Sequence, residues 1–162
     1  MFDRHLLNSI RDYQAHRGKP GPYHKLLRKI ARLRWTLWSV ITHSDIDPHA
    51  NISFDLKLPH PNGVIIHGEA VVGKNCMIMQ QVTIGMIDAG EVPRVGNDVY
   101  IGAGAKIIGA VIIGDGSRVG ANAVVLRDVP PHHTAVGNPA RLISRSTTVV
   151  TFPSRDGILG GD

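Results

Sequence analysis

One cysteine in 162 residues excludes an intramolecular disulfide. Cys76 stands in an aliphatic stretch with no base beside it, so it reads as core filler rather than as a nucleophile. Aromatic residues make up only 5% of the chain, too few for a core built on large rings. No apolar run reaches the roughly 18 residues that a membrane span needs, and no charged-then-apolar leader ends in small residues at the N terminus. A chain read this way is expected to be cytoplasmic. With 43% hydrophobic and 19% charged residues, it suits one folded unit rather than a disordered or multi-domain protein.

Acidic residues are scarce in one place. Residues 1–44 hold nine of the 18 Lys and Arg but only two of the 13 acids, a local charge of +7, which leaves −2 for residues 45–162. The basicity therefore belongs to the N-terminal segment. It fits an anionic membrane surface or nucleic acid; with no nucleic-acid motif beside it, the reading adopted is a solvated helix face and no nucleic-acid partner. In residues 22–43, Leu26, Leu27, Ile30, Leu33, Leu37, Trp38 and Ile41 recur at spacings of three and four, with Lys25, Arg28, Lys29, Arg32 and Arg34 largely between them, which predicts an amphipathic helix. Its apolar stripe is expected to pack on the rest of the protein or on a neighbouring subunit, with a membrane-surface role, supported by Trp35 and Trp38, as the second reading. A shorter helix is expected over about residues 3–16, separated by the breaker Arg17-Gly18-Lys19-Pro20-Gly21.

From Asp45 the period changes to six. Ile, Leu or Val recurs at 46, 52 and 58, again at 66, 72, 78 and 84, and again at 95, 101, 107, 113, 119 and 125, with glycine often following and a small residue often four places on. Neither a two-residue nor a 3.6-residue period produces a strict six; a β-helix solenoid does. One aliphatic per short strand points into a narrow prism, three sixes complete a coil, and stacked coils bury a continuous column. Glycine is expected there for turn conformations that a Cβ disfavours. Two breaks in phase mark candidate functional positions, since solenoid insertions gather on one face. The step from Leu58 to Ile66 is eight residues, bulging around His60, Pro61 and Asn62, and the step from Ile84 to Val95 is eleven, releasing Met86 to Val92 as a loop.

Two histidines, His60 and His67, invite a metal, but a β-helical zinc site needs three imidazoles, and after His67 the repeat has none before His132 and His133. No metal is expected. A histidine in a bulge suits general-base work instead, because its ordinary pKa lies near neutrality. His67 stands in the regular repeat and is expected to do no chemistry.

The segments "DIDPHA", "GVIIHGEAVVG", "QQVTIG", "YIGAGAKIIG" and "VGANAVVLRDVPPHHTAVGNPARLI" resemble the hexapeptide-repeat acyltransferases, most of all the catalytic domain of serine acetyltransferases, over about residues 45–143. The resemblance implies a left-handed parallel β-helix, homotrimers or dimers of trimers with the active site between subunits, and acetyl-CoA as co-substrate. It implies His60 as the catalytic base and Asp45 as the acid that orients it. On the donor side it implies Gly85 as an oxyanion-binding N–H, Ala103 and Ala121 along the pantetheine groove, and Lys106 and Arg141 near the CoA phosphates. The acceptor side departs from the family. Pro59 replaces the Asp before the base, Glu91-Val92-Pro93 replaces Arg-His-Pro, and Met86 replaces a glycine, so a serine carboxylate would meet Glu91 where the family has an Arg. The expectation is an O-acetyltransferase acting on a sugar or polysaccharide-precursor hydroxyl through a pocket that includes Met86, Glu91 and Val92, with peripheral contact at the inner face of the membrane. Serine O-acetyltransferase and a non-catalytic β-helical scaffold are the alternatives. The organisation expected is a helical segment at 1–44, the β-helix at 45–143 and a polar tail at 144–162.

Overall fold

A computed structural model describes residues 2–144; of the tail expected over residues 144–162 only Ser144 is described, as the end of the last strand, and the rest lies outside the described residues. Two helices, α1 (Phe2–His16) and α2 (Pro22–Thr42), precede fourteen short strands. Pro22 stands at the start of α2, where its missing N–H costs nothing. His43 ends the helix in the left-handed conformation (φ 50°), and the Ser44 N–H reaches back to the Ser39 carbonyl at 3.1 Å. That stop turns the chain straight into the first strand.

The strands form three parallel faces. The first stacks β1 (Asp45–Ile46), β3 (Ile65–Ile66), β6 (Thr83–Gly85), β9 (Lys106–Ile108) and β12 (Val124–Val125). The second stacks β2 (Asn51–Ile52), β4 (Val71–Val72), β7 (Arg94–Val95) and β10 (Ile112–Ile113). The third stacks β5 (Met77–Ile78), β8 (Tyr100–Ile101), β11 (Arg118–Val119) and β13 (His133–Val136), with β14 (Arg141–Ser144) folding back antiparallel on β13. Successive coils are 18 residues apart where the repeat is regular, as in Ile65 to Thr83 and Lys106 to Val124. The offset is 20 from Asp45 to Ile65 and 23 from Thr83 to Lys106. The eleven-residue step is thus one six plus five inserted residues, and the loop leaves the corner between the first and second faces.

The aliphatic column is continuous. Ile46, Leu58, Ile66, Ile78, Ile84, Ile101, Ile107 and Ile113 are fully or almost fully buried, and Ala70, Cys76, Ala105 and Ala123 fill the corners between them. Only Ile52 of the thirteen period-six residues is half-buried. The Cys76 thiol is fully buried, and burial pushes its pKa up.

Most corner glycines are needed for closeness rather than for φ. A Cβ on Gly102 would lie 2.6 Å from the Ala121 nitrogen, and one on Gly114 2.4 Å from the Pro131 nitrogen. The left-handed turn conformations fall three places after the aliphatic, on Asn75, Gln81, Asp98 and Asn122 (φ from 53° to 61°) and on Gly104 and Gly116 (φ 73° and 65°).

The helices close the first coil. Leu6, Leu7 and Ile10 of α1 join the core, and helix side chains take up carbonyls that no preceding coil can pair. Trp35 donates to Ile46 O at 2.9 Å, Gln14 to Pro48 O and Ala50 O at 3.0 Å, and Arg11 to Phe54 O. Of the expected stripe, Trp38 packs against the core, whereas Leu26, Ile30, Leu33, Leu37 and Ile41 are exposed in the single chain. The side of α2 turned to the core carries Ala31 and Thr42, with Trp35 and Trp38 half-buried against it. Trp35 and Trp38 lie on roughly the opposite side of the helix from those five residues and take the place against the core.

Candidate active site

The two-residue bulge at His60 sits at the corner between the third and first faces. It is held from three sides. The Gly63 N–H donates to Thr42 O at 3.3 Å, Ser44 Oγ donates to Pro61 O at 3.2 Å, and the Gln81 N–H and Nε2 donate to Asn62 O and Oδ1, each at 2.8 Å. Gly63 has φ +63°, which glycine adopts without strain, and its Cβ direction points at the end of the Gln81 side chain, 2.5 Å away, so a larger residue would have to displace the Gln81 amide that holds Asn62. The bulge is therefore a pinned projection, and it presents His60 to solvent in a cleft of about 330 Å³ lined by Ile41, Thr42, Pro59, Pro61 and Asn62.

The same corner continues along the solenoid. The Gly104 N–H bonds Gln80 O at 2.9 Å and the Asn122 N–H bonds Ala103 O at 2.8 Å, so Asn62, Gln81, Ala103 and Ala121 follow one another up this edge. Ala103 is partly exposed and Ala121 exposed; small side chains leave the edge shallow. Lys106 lies beside it, its ammonium donating to Gln81 O at 2.8 Å and Thr83 Oγ1 at 3.1 Å. Arg141 pairs with Val136, next to Gly137, whose carbonyl accepts from Val124 of the first face. His60, Ala103, Lys106, Ala121 and Arg141 thus share one edge.

Gly85, Met86, Glu91 and Val92 do not. Gly85 ends β6 in register with Ile108, and the inserted loop departs from there, the far edge of the first face. A Cβ on Gly85 would meet nothing nearer than 3.6 Å, so packing does not require this glycine and the space above it is open. Met86 and Glu91 are exposed and Val92 is partly so; the Glu91 N–H bonds Asp88 O at 3.0 Å.

Asp45 opens β1, its N–H donating to Val64 O at 2.8 Å, four residues beyond His60. No hydrogen bond or ion pair joins its carboxylate to His60 among the described residues. His67 is partly buried and its ring Nδ1 accepts from the Glu69 N–H at 3.3 Å, a local turn contact. Among the described residues no three His, Cys, Asp or Glu side chains gather into a metal-sized cluster. The carboxylate that sequence reasoning missed is Asp47. It accepts from the His49 ring and N–H at 2.8 and 2.7 Å. Partial burial works against its charge, but the His49 hydrogen bonds outweigh this and hold its pKa below the ordinary value. The signal was present as Asp-x-His, a two-residue Asx turn.

A three-sided parallel solenoid in sixes is the architecture of the hexapeptide-repeat transferases, and the family model described as "Bacterial transferase hexapeptide (six repeats)" matches residues 93–127. A serine acetyltransferase of Helicobacter pylori is 40% identical over 119 residues, covering 72% of this chain and 70% of that protein. One of Synechococcus elongatus is 40% identical over 135 residues, covering 82% of this chain and 55% of the relative. Among solved structures, a serine acetyltransferase in complex with CoA superposes with a TM-score of 0.74 at 31% identity over 88% of this chain and 57% of that one. The soybean serine acetyltransferase complexed with serine gives 0.73 at 36% over 85% and 56%. The chain belongs to the hexapeptide-repeat transferase family, in its serine acetyltransferase-like branch. It spans about half the length of most of the curated relatives it matches, such as 52% of the Salmonella typhimurium protein.

Proposed function

We propose that this chain is an acetyl-CoA-dependent O-acetyltransferase with His60 as general base. The observation that carries the reading is a histidine on a rigidly pinned bulge at the head of an edge that small residues keep shallow. The hydroxyl oxygen of the acceptor attacks the thioester carbonyl carbon while the His60 imidazole takes the hydroxyl proton. The tetrahedral intermediate then expels CoA thiolate, which recovers that proton from the imidazolium. Asp45, in register with Ile65 just after the bulge, stabilises the imidazolium through the field rather than through a direct bond. The pantetheine arm runs past Ala103 and Ala121, Lys106 and Arg141 meet the phosphates, and the open Gly85 admits the acyl group. Support for the donor comes from the CoA-bound relative.

Serine is the acceptor we propose, because the curated relatives are serine acetyltransferases and one neighbour holds serine. A sugar hydroxyl, the acceptor expected from the sequence, is not the substrate of any relative named above. It stays as the second reading because the exposed Glu91 carboxylate would repel a carboxylate substrate. The two edges of the first face lie apart in one chain, and a homotrimer that sets the His60 edge of one subunit against the Met86–Val92 loop of the next would unite them. A cytoplasmic setting suits the donor.

The test is CoA release from acetyl-CoA with L-serine against a panel of sugars. Turnover on serine is expected, falling about 10²- to 10⁴-fold in His60→Gln. Turnover on sugars alone would replace the acceptor, and calorimetry showing no acetyl-CoA binding would leave a scaffold.

A further inference from the structure

From Tyr13 to Ser44 the chain has seven Lys and Arg and no Asp or Glu. Within it, Tyr23, Leu26, Ile30, Leu33, Leu37 and Val40 follow spacings of three and four along α2, and all are 46–73% exposed. Such a stripe on a helix whose opposite face already packs on the core is not a remnant of folding. At 100° per residue, Lys25, Lys29 and Arg32 run along one edge of the stripe. Next to that edge Lys25, Arg28, Lys29 and Arg32 line a groove of about 270 Å³ with Tyr13, and among the described residues none of the four is in an ion pair. Arg34 on the other edge is neutralised by Asp12 at 2.7 Å.

An apolar stripe beside four unpaired cations matches a surface that offers hydrocarbon and anionic phosphate together. A second copy of α2 matches poorly, since it would set the same cations against each other with no acid on either helix to answer them. No described helix is long and apolar enough to cross a bilayer, so contact would be in the plane of the interface. We propose that α2 docks on an anionic phospholipid bilayer, with Leu26, Ile30, Leu33, Leu37 and Val40 at the acyl boundary and the Lys25–Arg32 groove holding lipid phosphates. The stripe continues past Val40 to Ile41, which lines the His60 cleft, so docking would bring that cleft to the membrane surface. The inference is independent of acetyl transfer.

The experiment is co-sedimentation of the full chain with vesicles of phosphatidylcholine alone or with about one third phosphatidylglycerol, at low and high salt, alongside light-scattering mass. Binding to the anionic vesicles only, weakened by salt, is expected. Leu33→Ser with Leu37→Ser should abolish it at unchanged mass and unchanged circular dichroism. Lys25→Gln, Arg28→Gln, Lys29→Gln and Arg32→Gln should lower partitioning by about fivefold per charge removed. Equal binding by the serine variant, no binding to anionic vesicles at low salt, or a fall in oligomer mass in the serine variant overturns the proposal. The last outcome would assign the stripe to another copy of the chain.

Discussion

Asp47 shows how a side chain's neighbours decide its chemistry. Its folded pKa lies below the ordinary value of 3.8 because the His49 hydrogen bonds favour the carboxylate. A depressed folded pKa stabilises the fold fully above about pH 4 and loses that contribution as pH falls through the folded value. Melting temperatures between about pH 6 and about pH 2 should therefore fall more steeply for the native chain than for Asp47→Asn, which has no proton to take up. At this scale the sequence was legible where a residue breaks a period. His60 stood out because two residues too many surround it. Asp47 was not legible because its pairing with His49 depends on a turn geometry, and Asp45 was legible only by resemblance, which gives a position but not a hydrogen bond.

At the scale of elements, the six-residue coil uses two kinds of special residue, and the sequence showed only their common address. Glycine directly after the aliphatic lets one coil lie against the next, while Asn, Asp, Gln or Gly two places later takes the left-handed conformation. Gly102→Ala should then cost about 1–3 kcal/mol in denaturant unfolding, as overpacking against the next coil's backbone does. Gly85→Ala, with open space above it, should change stability by less than about 0.5 kcal/mol. Equal losses at the two sites would refute the distinction. The period-six pattern announced the strands without ambiguity, and the 3.6 pattern announced α2. Which side of α2 faces the core was hidden, because both sides are apolar, and volume decides: Trp35 and Trp38 fill space beside the first coil that leucines at the stripe positions are turned away from.

At the scale of the whole molecule, stability is a sum along one axis, each coil resting on its neighbours. Ile107→Ala, fully buried in a central coil, should cost about 2–5 kcal/mol in a denaturant titration. Ile52→Ala, half-buried in the first coil, should cost clearly less. A reversed order would mean that the helical cap, not the column, governs unfolding.

The hairpin of β13 and β14 has a consequence for assembly. A solenoid that simply stopped would present three matched strand ends, a template on which another molecule's first coil could add, and another on that. By reversing direction at residues 137–140, the chain puts an antiparallel strand where a parallel one would be needed on the third face, while at the other end α1 and α2 spend the first coil's carbonyls on Trp35, Gln14 and Arg11. Among the described residues, strand addition is thus opposed on the third face at one pole and at the first coil's carbonyls at the other, which limits end-to-end growth that the repeat, taken alone, does not limit.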